Sequence, residues 1–198
     1  MSELEVVGAL AEAWYEWDRE GTLPFTPDCC INGTKVAIRV LKHFGITAQP
    51  VSVRFALFNR FAWDLYQDGV PLAEWPEHAH SLGVGPKQGT GPDKWNGHLI
   101  AEGDGWALDI SASQFARSGR IIMEGPRVLP ELPRDEPLLA VDRHGQVLWM
   151  ARWPENTAWK IAAGWRRSHD AEVNELVART QRVMPTEGPS PRRRNRAE

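Results

Sequence analysis

Three residues stand in an order that could do nucleophilic chemistry: Cys30 at the head of a helical stretch, His98 on a later strand-like run, and Asp109 eleven residues further on. A cysteine attacks as its thiolate. A helix N-terminus favours that form, because unpaired backbone N–H groups and the helix dipole attract negative charge. A neighbouring imidazole takes the proton and returns it, and a carboxylate orients the ring. An isolated cysteine or histidine is more often a small buried hydrophobe or a satisfied core residue. The ordered set of three tips the reading towards a thiol nucleophile, its base and an orienting acid.

The elements that must position them follow from hydrophobic periodicity. After Cys30 the apolar residues Val36, Ala37, Val40, Leu41 and Phe44 recur at helical spacing, and Gly45 stops the helix. Asp28, just ahead, suits the positive helix end. An earlier amphipathic helix over residues 3–18 carries Leu4, Val7, Ala11 and Trp14 on one face and ends near Gly21. The run 51–58 alternates as a strand. Residues 97–102 and 106–110 form a predicted antiparallel hairpin about Gly103-Asp-Gly105, which sets His98 and Asp109 nearly opposite one another. A second hairpin pairs 138–141 with 147–150, the Pro-rich residues 125–137 connect the two, and a helix is predicted over 168–184.

The segment 59–95 is rich in Gly and Pro and reads as an irregular insertion or a loop over the cleft. From residue 185 the chain is expected to be a disordered tail with Arg192, Arg193, Arg194 and Arg196. The organisation is therefore one domain over residues 1–184 and a tail over 185–198.

Composition narrows the function classes. The formal charge of −3, from 26 acidic against 23 basic residues, gives no global basic field for nucleic acid. No segment approaches the ~20 apolar residues of a membrane span, and the N-terminus reads as a helix, not a secretion signal. The only two cysteines, Cys29 and Cys30, are adjacent and poorly placed to bridge each other, so both are expected reduced, as in the cytoplasm. Ten tryptophans are many for 198 residues. Trp95 and Trp106, close to His98 and Asp109, are candidates to wall a substrate cleft, and Gln114 is a candidate hydrogen-bonding residue behind the site. His78 and His80 with the cysteine pair lack a recognised zinc spacing, so neither a metal nor any other cofactor is expected.

These residues resemble the transglutaminase-like branch of the papain-like cysteine enzymes. Cys30 with Gly45-Ile-Thr-Ala-Gln49 is similar to the family's Cys helix ending in Gly-Ile-Pro-Ala-Arg. His98, Gly105-Trp106 and Leu108-Asp109-Ile-Ser111 are similar to its His, Gly-Trp, Leu-Asp-Pro-Thr sequence. The matches cover roughly residues 28–114. They depart from the family at Ile100, where an aromatic is common, and at Ile110-Ser111, where Pro-Thr is common.

The resemblance implies an α+β fold in which a nucleophile helix packs on an antiparallel sheet, with Cys30 as nucleophile, His98 as general base and acid, and Asp109 orienting the imidazole. It implies acyl-enzyme chemistry on a peptide or small-molecule amide or thioester, resolved by water or an amine; arylamine N-acetyltransferases use a similar order. Asp28-Cys29 also resembles the Asp-Cys start of certain cell-wall peptidases, which leaves Cys29 as the alternative nucleophile. A protein that kept the fold and lost turnover, acting as a binding or scaffold module, is the other functional class.

Overall fold

A computed structural model describes residues 1–25, 30–84, 97–112 and 125–184. The chain opens with α1, Glu3–Arg19, whose start is fixed by a reciprocal cap: Ser2 Oγ accepts from the Glu5 N–H, and the Glu5 carboxylate accepts from the Ser2 N–H at 2.6 Å. Helix α2 spans Cys30–His43 and ends in a Schellman turn. Ile46 N–H donates to the Leu41 carbonyl and Gly45 N–H to that of Lys42, with Gly45 at φ 79°. Helix α5, Asp170–Val183, packs beside both. Val7, Leu10, Trp14, Val36, Val40 and Leu176 from these three helices form one buried cluster with Ala101, Trp106, Leu108 and Ile110 of the sheet.

The sheet is antiparallel throughout. Its path runs β5-β4-β3-β1-β7-β6, with β2 also paired to β1. The strands are β1 Gln49–Phe58, β2 Ser81–Val84, β3 His98–Gly103, β4 Trp106–Asp109, β5 Arg127–Pro130, β6 Leu138–Val141 and β7 Val147–Arg152. One edge of β1 pairs first with β3, over Gln49–Val53, and then with β2, over Phe55–Phe58. The sheet curls away from the helices around a second apolar cluster that includes Val53, Phe55, Leu57, Ile100, Leu148 and Met150.

Two ion pairs tie this curl together. Arg127 on β5 meets Asp142, just past β6, at 3.1 Å, joining the two ends of the strand path. Arg152 on β7 meets the buried Glu102 of β3 at 2.6 Å across β1, and it also donates to the Leu132 carbonyl. Both charges of the second pair are largely withdrawn from water, which is tolerable because each is partnered.

The α+β arrangement and the main helices and strands are those expected. Over its described residues, 59–84, the stretch 59–95 is more regular than the irregular insertion or cleft loop anticipated. Its described part holds α3, Arg60–Gln67, a 3₁₀ turn at Leu72–Glu74, and β2. Asn59 caps α3 by accepting from the Ala62 N–H at 2.9 Å, and Asp68-Gly69 ends it. The connector 125–137 contains β5, where Pro130 closes the strand at its outer edge. Glu102, just before the hairpin turn, is only 2% exposed. The tail 185–198 lies outside the described residues.

Gly103 closes β3 directly under the Trp106 ring, and a Cβ there would fall 2.3 Å from an indole carbon. Gly103→Ala is therefore expected to destabilise the protein by about 1–3 kcal/mol, since the indole cannot withdraw without opening the core beneath α1. A urea-unfolding midpoint equal to wild type would show that the hairpin yields at no cost.

Candidate active site

Residues Cys30, His98 and Asp109 converge at the place where α2 starts, β3 starts and β4 ends. Cys30 is 6% exposed, packed with Leu99 and Trp159, and flanked by Ile31 and Trp165. His98 is fully buried and Asp109 is 1% exposed. The imidazole Nε2 lies 2.8 Å from Asp109 Oδ2. Charge attraction and a side-chain hydrogen bond to Asp109 both act on the ring. The same ring shares a side-chain hydrogen bond with Cys30. With Nε2 turned to Asp109, Nδ1 is the nitrogen left for the sulfur.

The hairpin register differs by two residues from a direct His98–Asp109 pairing. Ala101 faces Leu108 and Glu102 faces Ala107, which makes the two site residues diagonal neighbours. An offset of two preserves the face that each side chain occupies, so the contact survives it.

Local packing aligns the thiol with the ring. Thr34, one turn along α2 from Cys30, donates its hydroxyl to the Leu99 carbonyl at 2.8 Å and so anchors the helix to the residue after His98. Gly33 lets α2 approach closely: a Cβ there would lie 3.2 Å from both Ile110 and Trp14. On the outer face of α2, Lys35 donates to the carbonyls of Trp165 and Arg167, and Arg39 to that of Ser168. Arg39 also pairs with Asp170 at 2.6 Å. These contacts clamp the segment carrying a 3₁₀ turn, Ala158–Ile161, and α4, Ala163–Arg166, so that Trp159 and Trp165, edge to face at 4.5 Å, wall the thiol.

Electrostatics favour a charged ring. Burial works against the imidazolium, but attraction to Asp109 outweighs it and Cys30 adds to it, raising His98 from its ordinary 6.5 to about 10. A buried imidazolium at neutral pH is the partner that a thiolate needs. Further buried polar atoms at or beside the same elements have no hydrogen-bond partner among the described residues: Asn32 Oδ1, Ser52 Oγ, across the ladder from Leu99, and Ser111 Oγ, just past Asp109. Sequence reasoning passed over all three, since an isolated Ser or Asn carries no signal until its burial is known.

Of the other expected site residues, Trp106 is a core residue, not a cleft wall: it is 1% exposed beneath α1, with its indole N–H 3.4 Å from Glu3 Oε2. Its β4 position faces the helices, opposite to Asp109. Trp95, Gln114, Asp28 and Cys29 lie outside the described residues. Trp159 and Trp165, which do wall the thiol, are remote in sequence and follow no motif. His78 packs its ring on Phe61, and among the described residues no group of three His, Cys, Asp or Glu side chains is placed to hold a metal ion. Nor is any described helix long and apolar enough to cross a membrane.

No family model, no curated protein and no solved structure matches the chain.

Because the His98 pKa rises on folding, its proton contributes stability that is fully present below about pH 6.5 and is lost as pH rises through about 10. Asp109→Asn removes the attraction that outweighs burial. The gap in urea midpoint between wild type and this variant is therefore expected to be widest at pH 6 and to narrow steadily towards pH 10. A gap independent of pH would mean that Asp109 acts only through packing.

Proposed function

We propose that this protein is a cysteine-dependent acyl-transfer enzyme or hydrolase of the transglutaminase-like branch of the papain-like fold. The observation that carries the reading is the buried relay from Asp109 to His98 to Cys30, in which a single ring meets a carboxylate at 2.8 Å and a thiol by hydrogen bond.

The chemistry follows from the ring's charge. Cys30 thiolate attacks the carbonyl carbon of an amide or thioester, forming the C–S bond and an oxyanion. The positive end of the α2 dipole lies beside that developing charge. His98 donates its proton to the departing nitrogen or sulfur as the carbonyl re-forms, which leaves an acyl-cysteine. The neutral imidazole then takes a proton from water or an amine as that group attacks the acyl carbon. Collapse expels the thiolate and restores the imidazolium. Asp109 holds the ring throughout. A reducing, cytoplasmic setting suits a nucleophile of this kind.

A second reading, a binding module that retains the three residues without turnover, draws support from the burial of Cys30 behind Trp159. The two readings separate on thiol reactivity. For the enzyme, iodoacetamide alkylation at Cys30, followed by mass spectrometry, is expected to be fast below pH 7, nearly flat to about pH 9, and at least tenfold slower at pH 6.5 in His98→Ala. Alkylation that tracks an ordinary thiol pKa in both proteins favours the module. A thiol-directed acyl probe should lose all labelling in Cys30→Ala and keep it in Cys29→Ala; the reverse pattern would move the nucleophile to Cys29.

A further inference from the structure

One face of β1 runs from the level of the nucleophile to an open apolar groove. Ser52, on this face, pairs across the ladder with Leu99, against which Cys30 packs. Two residues on, Arg54 is exposed and stacks its guanidinium on the Trp153 indole at 5.1 Å, and among the described residues it meets no carboxylate. Two residues further comes Ala56, opposite Gly83, and then Phe58, opposite Ser81. These small residues floor a groove of about 500 Å³ walled by Tyr66, Leu72 and Trp75.

The groove is built, not incidental. The floor positions Ala56, Ser81 and Gly83 present almost no side chain, while α3 and the 3₁₀ turn raise aromatic and aliphatic walls on either side. The Phe58 ring packs at a tilt against Tyr66, with centroids 5.0 Å apart, and holds the wall in place. Leu72 at its rim is 72% exposed, an apolar surface left in water. Charge complementarity identifies the occupant. The approach to the groove carries a cation, Arg54, that meets no carboxylate among the described residues and rests on a flat aromatic support, an arrangement that receives a carboxylate, and the groove itself receives a large apolar side chain.

Spacing then fixes the sequence of that occupant. Along a strand, same-face positions recur about every 7 Å. An extended peptide laid along β1, with its reacting carbonyl at the Ser52 level, brings its side chains past Arg54 and Ala56 at the same interval. We propose that the acyl donor is an extended peptide with an acidic residue two positions, and an aromatic or large aliphatic residue four positions, before the carbonyl that Cys30 attacks. The acyl side is chosen because it stays bound through both half-reactions, so contacts to it serve each. This specificity rests on the acyl-enzyme reading above.

The test uses five-residue peptides ending in a vinyl sulfone, to whose β-carbon the Cys30 thiolate adds while the α-carbon gains the His98 proton. The reference peptide has glutamate two residues, and phenylalanine four residues, before the residue bearing the sulfone. Wild-type labelling by this probe, read by intact mass, is expected to be at least tenfold faster than by its lysine or alanine analogues at those two positions. Arg54→Glu should reverse the glutamate-over-lysine preference. Leu72→Glu, at an exposed position that does not threaten folding, should erase the phenylalanine preference alone. Equal rates across the probes, with iodoacetamide still reacting rapidly in a His98-dependent way, would overturn the subsite while leaving the nucleophile standing. Ordinary thiol kinetics with iodoacetamide would overturn the acyl-enzyme reading and this proposal with it.

Discussion

The pair formed by His98 and Asp109 sets the terms for the rest of the structure. Both groups are almost wholly withdrawn from water, where an isolated charge is prohibitively costly, so each is tolerable only because the other is 2.8 Å away. Two antiparallel strands hold them on one face at a diagonal, and a tight turn fixes the register. A slip of one residue would send one of them to the helix side and leave the other buried alone. Trp106, locked over Gly103 and beneath α1, opposes that slip from the far face of the same hairpin. Its contribution to the site is register, not contact.

The thiol is brought to this pair from the other side of the sheet. Cys30 belongs to the layer of helices, whereas His98 packs against Phe55 in the curled interior, with ring centroids 5.7 Å apart. The thiol and the ring can meet because α2 and β3 both start at that end of the sheet. Keeping them in register falls to ordinary structural contacts: the Thr34 hydroxyl on the Leu99 carbonyl, and the close approach that Gly33 permits. Lys35 and Arg39 extend the same role outward, fastening to the body of α2 the segment whose tryptophans wall the thiol. The meeting of thiol and ring thus depends on residues other than the three themselves.

How much of this was legible in the sequence follows from the range of the interactions. Helices α1 and α2 carry strong periodicity, and Ser2-x-x-Glu5 and Gly45 mark their ends, so local signals suffice. The hairpin that bears His98 and Asp109 is legible for the same reason, although its offset is not, because packing of Trp106 over Gly103 enters into it. Helix α3 was hidden by the surrounding glycines and prolines despite a cap at Asn59. Only Ala62 of its apolar residues is buried, while Phe61 and Tyr66 are exposed, so the helix carries no stripe committed to the core. The Trp159 and Trp165 wall and the buried Glu102–Arg152 pair were not legible at all. Each depends on contacts between segments tens of residues apart, and local patterns are silent about those.

Fold alone does not decide between turnover and binding, since the same scaffold serves both. The deciding quantity is the free energy of moving one proton from sulfur to nitrogen in a site with little water. Asp109 lowers that cost by stabilising the imidazolium, and the start of α2 lowers it by stabilising the thiolate. A module that only bound a partner would gain nothing from keeping both terms, because a neutral thiol and a neutral ring would pack in the same space with no buried charge to support. The buried carboxylate behind the imidazole is therefore the feature that the proposed acyl transfer uses and that a binding role leaves without a physical reason.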